Sequence, residues 1–150
     1  MSEILFYHLL RQPLEAVLPK LLEKSLERGW RAVVRLGTPE RLAAIDEALW
    51  SYNDESFMPH GGASEGDPAS QPVFLTLADE RPNGANVAFV ADGAELPAAV
   101  ADYIRVVLMF DGNDDDAVQR ARLIWKDVKA GGHDATYWQQ DGQGRWEKKA

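Results

Sequence analysis

A chain of 150 residues with 45% hydrophobic and 27% charged residues suits one domain with an ordinary core, and its composition excludes an intrinsically disordered polymer. It contains no cysteine, which excludes a disulfide framework, a thiolate metal site and a thiol nucleophile. The formal net charge of −8 repels phosphates and disfavours direct, sequence-specific nucleic-acid binding unless the basic residues gather locally.

Ile4 to Leu10 is a short apolar run that reads as a buried strand. Leu14, Val17, Leu18, Leu21, Leu22 and Leu26 then recur at helical spacing, with Pro13 at the start and Gly29 at the end. Arg31 to Leu36 reads as a second strand. Thr38 is placed to cap the next helix, with Pro39 at its first position and Leu42, Ile45 and Leu49 facing inward. That helix should end near Trp50. Residues 51 to 71, rich in glycine and proline, read as a long loop of the kind that often carries function. Val73 to Leu77 and Asn86 to Val90 are strands on either side of a Pro82-Asn83-Gly84 turn. A short helix is expected from Glu95 to Ala101, then a strongly apolar strand from Tyr103 to Phe110. Asp114 begins a long helix that runs to Ala130 and stops at Gly131-Gly132, and Tyr137-Trp138 reads as a short last strand.

Strands that alternate with helices predict an α/β fold, a single three-layer Rossmann-like domain with a largely parallel sheet. The domain is expected to span residues 1–138, with 139–150 as a loose polar tail. The N-terminus, Met-Ser-Glu-Ile-Leu-Phe-Tyr, has no basic segment followed by a long apolar one, so no secretory signal is expected. No apolar run approaches the roughly 18 residues that span a bilayer. A cytoplasmic protein without a membrane partner is the expectation.

The motifs of the common α/β enzymes are missing. The first turn reads Arg11-Gln12-Pro13, with no glycine-rich cradle for a pyrophosphate. There is no Walker A lysine and no Gly-x-Ser-x-Gly elbow. Asp111 to Asp116 fails as an EF-hand loop, because Asp116 and Arg122 stand where glycine and glutamate are needed. Those carboxylates read better as caps of the following helix. His8, His60 and His133 lack metal-ligand spacing. Neither catalytic residues, nor a metal, nor a cofactor is expected. The rival from another class is a small nucleotide-dependent or hydrolytic enzyme, with His60 paired to Asp46 or Glu47.

The segment after the second helix carries the most specific signal. It reads Ile45-Asp-Glu-Ala-Leu-Trp50, then Glu55-Ser-Phe57-Met-Pro59-His60, then Glu65-Gly66. This closely resembles the chi subunit family of bacterial DNA polymerase III. Phe6-Tyr7-His8-Leu9, Gln71-Pro72-Val73 and Asp134-Ala-Thr-Tyr-Trp138 are similar to other parts of that family. The resemblance implies a Rossmann-like domain without catalysis, an accessory subunit that serves DNA replication in the clamp-loader complex. It implies binding to the acidic C-terminal tail of single-stranded DNA-binding protein (SSB). It also implies a second partner, either the psi subunit or a helicase that competes with psi. A chi-like adaptor serving mainly a repair helicase is a variant of the same reading.

Two surfaces are candidates for these partners. Ala117, Ala121, Ile124 and Val128 fall on one helical stripe, with Arg122, Trp125 and Lys129 on the next and Lys126 one turn beyond Arg122. Arg120, Arg122, Lys126 and Lys129 are opposed between Ala117 and Ala130 by Asp127 alone. An ordinary amphipathic helix with a solvated basic face would show the same pattern. The family's Arg-x-x-Tyr-Lys arrangement stands here as Arg122-Leu-Ile-Trp125-Lys126, which implies that Arg122, Trp125, Lys126 and Lys129 hold the SSB tail. Trp50 and Phe57 are the candidates for the psi or helicase interface, or else they pack their own loop.

Overall fold

A computed structural model of the chain describes residues 2–10, 12–51, 67–141, 143 and 145–150, and for Trp50 the backbone alone. Its elements are β1 (Glu3–Leu9), α1 (Leu14–Glu27), β2 (Ala32–Arg35), α2 (Pro39–Ser51), β3 (Val73–Thr76), β4 (Val87–Val90), β5 (Arg105–Asp111), α3 (Asp115–Ala130), β6 (Asp134–Gln140) and β7 (Trp146–Lys148). The strands form one sheet in the order β3-β2-β4-β5-β1-β6-β7. Every pairing is parallel except β6 with β7. Parallel strands covered on both faces must be apolar throughout, and Val73–Thr76, Val87–Val90 and Val106–Phe110 are buried without interruption.

Two cores lie on the two faces of the sheet. On one, Leu5, Leu9, Val34, Val107 and Met109 meet Leu14, Leu18 and Leu22 of α1 and Ile45 and Leu49 of α2. On the other, Ile4, Phe6, Val106, Leu108 and Phe110 meet Ala121 and Val128 of α3. Helices on both faces make the three layers expected from the sequence. No helix among the described residues is long and apolar enough to cross a membrane.

The helix ends follow the local chemistry. The Thr38 hydroxyl accepts a hydrogen bond from the Arg41 backbone N–H at 3.2 Å. Asp114 caps α3, its carboxylate accepting from the N–H groups of Asp116 (3.0 Å) and Ala117 (3.4 Å). Gly132 leaves that helix at φ +79°, a left-handed conformation that glycine adopts without strain.

Two stretches depart from the sequence reading. Only Val100–Asp102 forms a helical turn of the 3-10 type where a helix from Glu95 to Ala101 was expected. Pro97 lacks an N–H and disfavours helical backbone at Leu96, and the Ala98 N–H is taken by the Asp79 carboxylate at 2.9 Å. The other departure is at the C-terminus. The last parallel strand runs on to Gln140, and the chain then turns back as β7, where a loose tail was expected. Polar composition hid two anchors. Gln140 is buried, and its amide oxygen accepts from the N–H groups of Leu10 (2.9 Å) and Gln12 (3.3 Å). Trp146 crosses to Tyr7 of β1, with ring centroids 4.8 Å apart.

Candidate protein-interaction site

α3 lies over β5 and β6, so one flank of it faces the β6–β7 side of the sheet. Ala121 and Val128 are buried against the sheet, and Ala117, Val118, Ile124 and Trp125 are packed on that core at its margin. Arg122, Lys126 and Lys129 are exposed. Among the described residues these three cations make no ion pair, in contrast to Arg41, Arg105, Arg145 and Lys149. The Lys129 ammonium lies 5.5 Å from the centroid of the Trp125 ring, where the ring's quadrupole attracts a cation. Arg120, the fourth basic residue of the helix, is turned to the other flank, where it donates to the Gly93 carbonyl at 2.9 Å.

Trp125 is half-buried. It meets Phe6 edge-on at 5.2 Å and Tyr137 edge-on at 5.8 Å. The indole therefore stands between the core and the cations, fixed from below by β1 and β6. Next to it, Tyr137 packs against Phe110 at 6.1 Å, and its hydroxyl lies 2.7 Å from Nδ1 of His8. Burial lowers the pKa of His8 below 6.5, and the charge of Arg122 lowers it further, against the opposing influence of Asp111 and a hydrogen bond with the Gly112 backbone. Burial raises the pKa of Tyr137, again with Arg122 near enough to act on it. His8 and Tyr137 were not singled out by sequence reasoning. Parallel pairing of β1 with β6 brings them together, and a histidine in an apolar strand is the one local sign of it.

The second candidate surface is described only in part. α2 ends at Ser51, which puts the backbone of Trp50 in its last turn. Phe57 and His60 lie outside the described residues, as does the side chain of Trp50. α2 packs on the opposite face of the sheet from α3.

A crevice of about 720 Å³ opens at the C-terminal ends of β1 and β5, where the chain leaves neighbouring strands toward opposite faces. This is where open α/β sheets bind ligands. Glu15, Asp92, Asp111, Asp114 and Asp116 line it, against Arg41 and Arg120. Arg41 is paired with Glu15 and Asp92, and Arg120 donates to the Gly93 carbonyl. The acidic lining disfavours a nucleotide there. Among the described residues no group of three or more histidines and carboxylates is placed to hold a metal ion.

Residues 1–136 match the family model described as "DNA polymerase III chi subunit, HolC". The chain is 25% identical over 108 residues to a probable DNA polymerase III subunit chi of Rickettsia prowazekii, covering 71% of this chain and 66% of the relative. It is 28% identical over 125 residues to the DNA polymerase III subunit chi of Escherichia coli, covering 79% and 82%. Against the subunit chi of Pseudomonas aeruginosa it is 30% identical over 87 residues, covering 58% and 59%. The alignments thus span just under two thirds of the Rickettsia protein, about three fifths of the Pseudomonas one and about four fifths of the E. coli one.

Proposed function

Since the chain belongs to the DNA polymerase III chi subunit family, a family of replication accessory subunits, we propose that it is a non-catalytic adaptor. It joins the acidic C-terminal tail of SSB to the clamp-loader complex in the cytoplasm. The observation that carries this reading is the α3 flank. On a chain of net charge −8, Arg122, Lys126 and Lys129 stand exposed without a carboxylate partner among the described residues, beside the rigidly seated Trp125. A tail that ends in an apolar residue with a free carboxylate needs a cation for the carboxylate and an apolar wall for the side chain. Arg122 and Lys126 supply the first. Trp125 and the aliphatic stems of the cations supply the second.

Trp50 and Phe57 serve the second partner, psi or a helicase. With α2 and α3 on opposite faces of the sheet, an SSB tail on α3 leaves the α2 layer open, as an adaptor requires. The test is capture by the immobilised chain. Full-length SSB should be retained at low salt and released as salt screens the cations, and SSB without its C-terminal tail should pass through. Equal retention of both forms would refute the reading.

A further inference from the structure

The other flank of α3 carries a surface of different character. A trough of about 470 Å³ lies between this helix and the segment 95–100, with Ile4 of β1 at its floor. Leu96, Pro97 and Val100 line one wall, and Leu123 and Ile124 line the other. Leu123 is 62% exposed, more than any other large hydrophobic residue among the described ones. We propose that this trough docks a short amphipathic helix of a partner protein, with leucine-class side chains inward and lysine or arginine at the rim. The inference concerns a further partner and is independent of the tail site on the basic flank.

The non-helical wall is held in place from within the fold. Pro97 has no N–H and keeps the segment out of a helix. The Asp79 carboxylate accepts from the Ala98 N–H at 2.9 Å, and the Arg35 guanidinium donates to the Glu95 carbonyl at 3.1 Å. The Val100 carbonyl accepts from the Ser2 hydroxyl at 3.0 Å, and the Ala99 carbonyl from the Asp102 N–H at 3.0 Å. These bonds take several of the backbone groups that an extended peptide would pair with, so a strand ladder is disfavoured. The facing wall is a helix, whose backbone is bonded within itself. Recognition is left to side chains, and an amphipathic helix fills an apolar groove without needing backbone partners. The trough is open to water along its length. A small molecule would stay largely wet there, whereas small-ligand pockets cover roughly 70–90% of their ligand.

Charge decides the sign of the partner. Glu95 stands on one wall and Asp127 on the other, both exposed and neither in an ion pair among the described residues. Arg120 also lines the trough, and its guanidinium donates to the Gly93 carbonyl at 2.9 Å. Two carboxylates without an ion-pair partner thus face one guanidinium that is already bonded. On a chain of net charge −8, cations at the rim of the bound helix are favoured over anions. Covering Leu123 and the apolar walls supplies the affinity, because both partners then remove apolar area from water. The rim charges set the rate of encounter and the choice of partner.

The test uses the full chain and three synthetic peptides. The first has leucines at helical spacing and lysines elsewhere. The second has glutamate in place of lysine. The third has the composition of the first, with its leucines at alternate positions. The first peptide should bind, and the amide resonances that move should be those of the segment 95–100 and of Leu123 to Val128. The other two should bind at least about tenfold more weakly. Leu123→Asn should weaken the first peptide at least about fivefold, because the leucine no longer adds apolar area to the contact. Asp127→Asn should weaken it about threefold and flatten its salt dependence. Both residues are exposed, so both variants should fold, which their melting temperatures check. Failure of the first peptide to bind, or equal binding by Leu123→Asn, overturns the inference. Resonance shifts confined to the acidic crevice at the ends of β1 and β5 also overturn it, since attraction of opposite charges alone would then explain the binding. A wild-type chain that self-associates, and that Leu123→Asn makes monomeric, would put a second copy in the trough and overturn it as well.

Discussion

Trp125 is where packing and recognition meet, and Trp125→Ala separates them. The indole is half-buried, with edge contacts to Phe6 at 5.2 Å and Tyr137 at 5.8 Å. Removing a fully buried tryptophan costs about 3–5 kcal/mol, so a half-buried one should cost about 2 kcal/mol. For a chain of this size each kcal/mol lowers the melting temperature by about 2–4 °C, which gives a fall of about 4–8 °C. Thermal unfolding followed by circular dichroism reads this directly. A double-mutant cycle of Trp125→Ala with Tyr137→Ala should show a coupling of about 0.5–1.5 kcal/mol, the usual worth of an aromatic pair. A fall of less than about 1 °C would refute the seating of the indole on β1 and β6. Trp125 would then be a free surface residue rather than a wall held in place by the core.

Other consequences are simpler to check. Trp146→Ala should cost about 1–2 kcal/mol in urea unfolding, because the half-buried ring packs edge-on against Tyr7 at 4.8 Å; a neutral result would mean that β7 contributes nothing to stability. Asp114→Ala removes the cap of α3 and should cost about 1 kcal/mol by the same measurement. His8 has a folded-state pKa below its unfolded value of 6.5, so the folded chain binds fewer protons near that pH. Its contribution is therefore fully present above about pH 6.5 and is lost as the pH falls through that value toward the folded pKa. The melting temperature of the free chain should fall between pH 7.5 and 5.5 by more in the wild type than in His8→Asn.

The layers were legible because their signals are local. The leucine spacing from Leu14 to Leu26, the Thr38-Pro39 start and the Asp114 cap each declare a helix within a few residues. Val106 to Phe110 declares a covered strand in the same way. The Glu95–Ala101 segment misled because its alanines outweighed Pro97, whose effect on the backbone decides the outcome. The C-terminal strand misled because its anchors are long-range: Gln140 binds the Leu10 and Gln12 backbone, and Trp146 finds Tyr7. The site shows the same division. The cations of α3 are visible as a run on one helix, and the family motif drew attention to them. The His8–Tyr137 pair depends on β1 lying beside β6, a tertiary fact that no spacing within the chain reveals.

The proposed role of the basic flank of α3 is to receive an acidic tail. It is tested most directly by titrating an acidic peptide with a free C-terminal carboxylate into the wild-type chain and into Lys126→Glu. Lys126 is exposed, so the substitution should leave the melting temperature within about 2 °C. Truncating one partner of an interfacial charge pair costs about 2 kcal/mol or more and reversal adds repulsion, so affinity should fall at least about thirtyfold. A folded Lys126→Glu chain that binds the peptide as tightly as the wild type would contradict the claim.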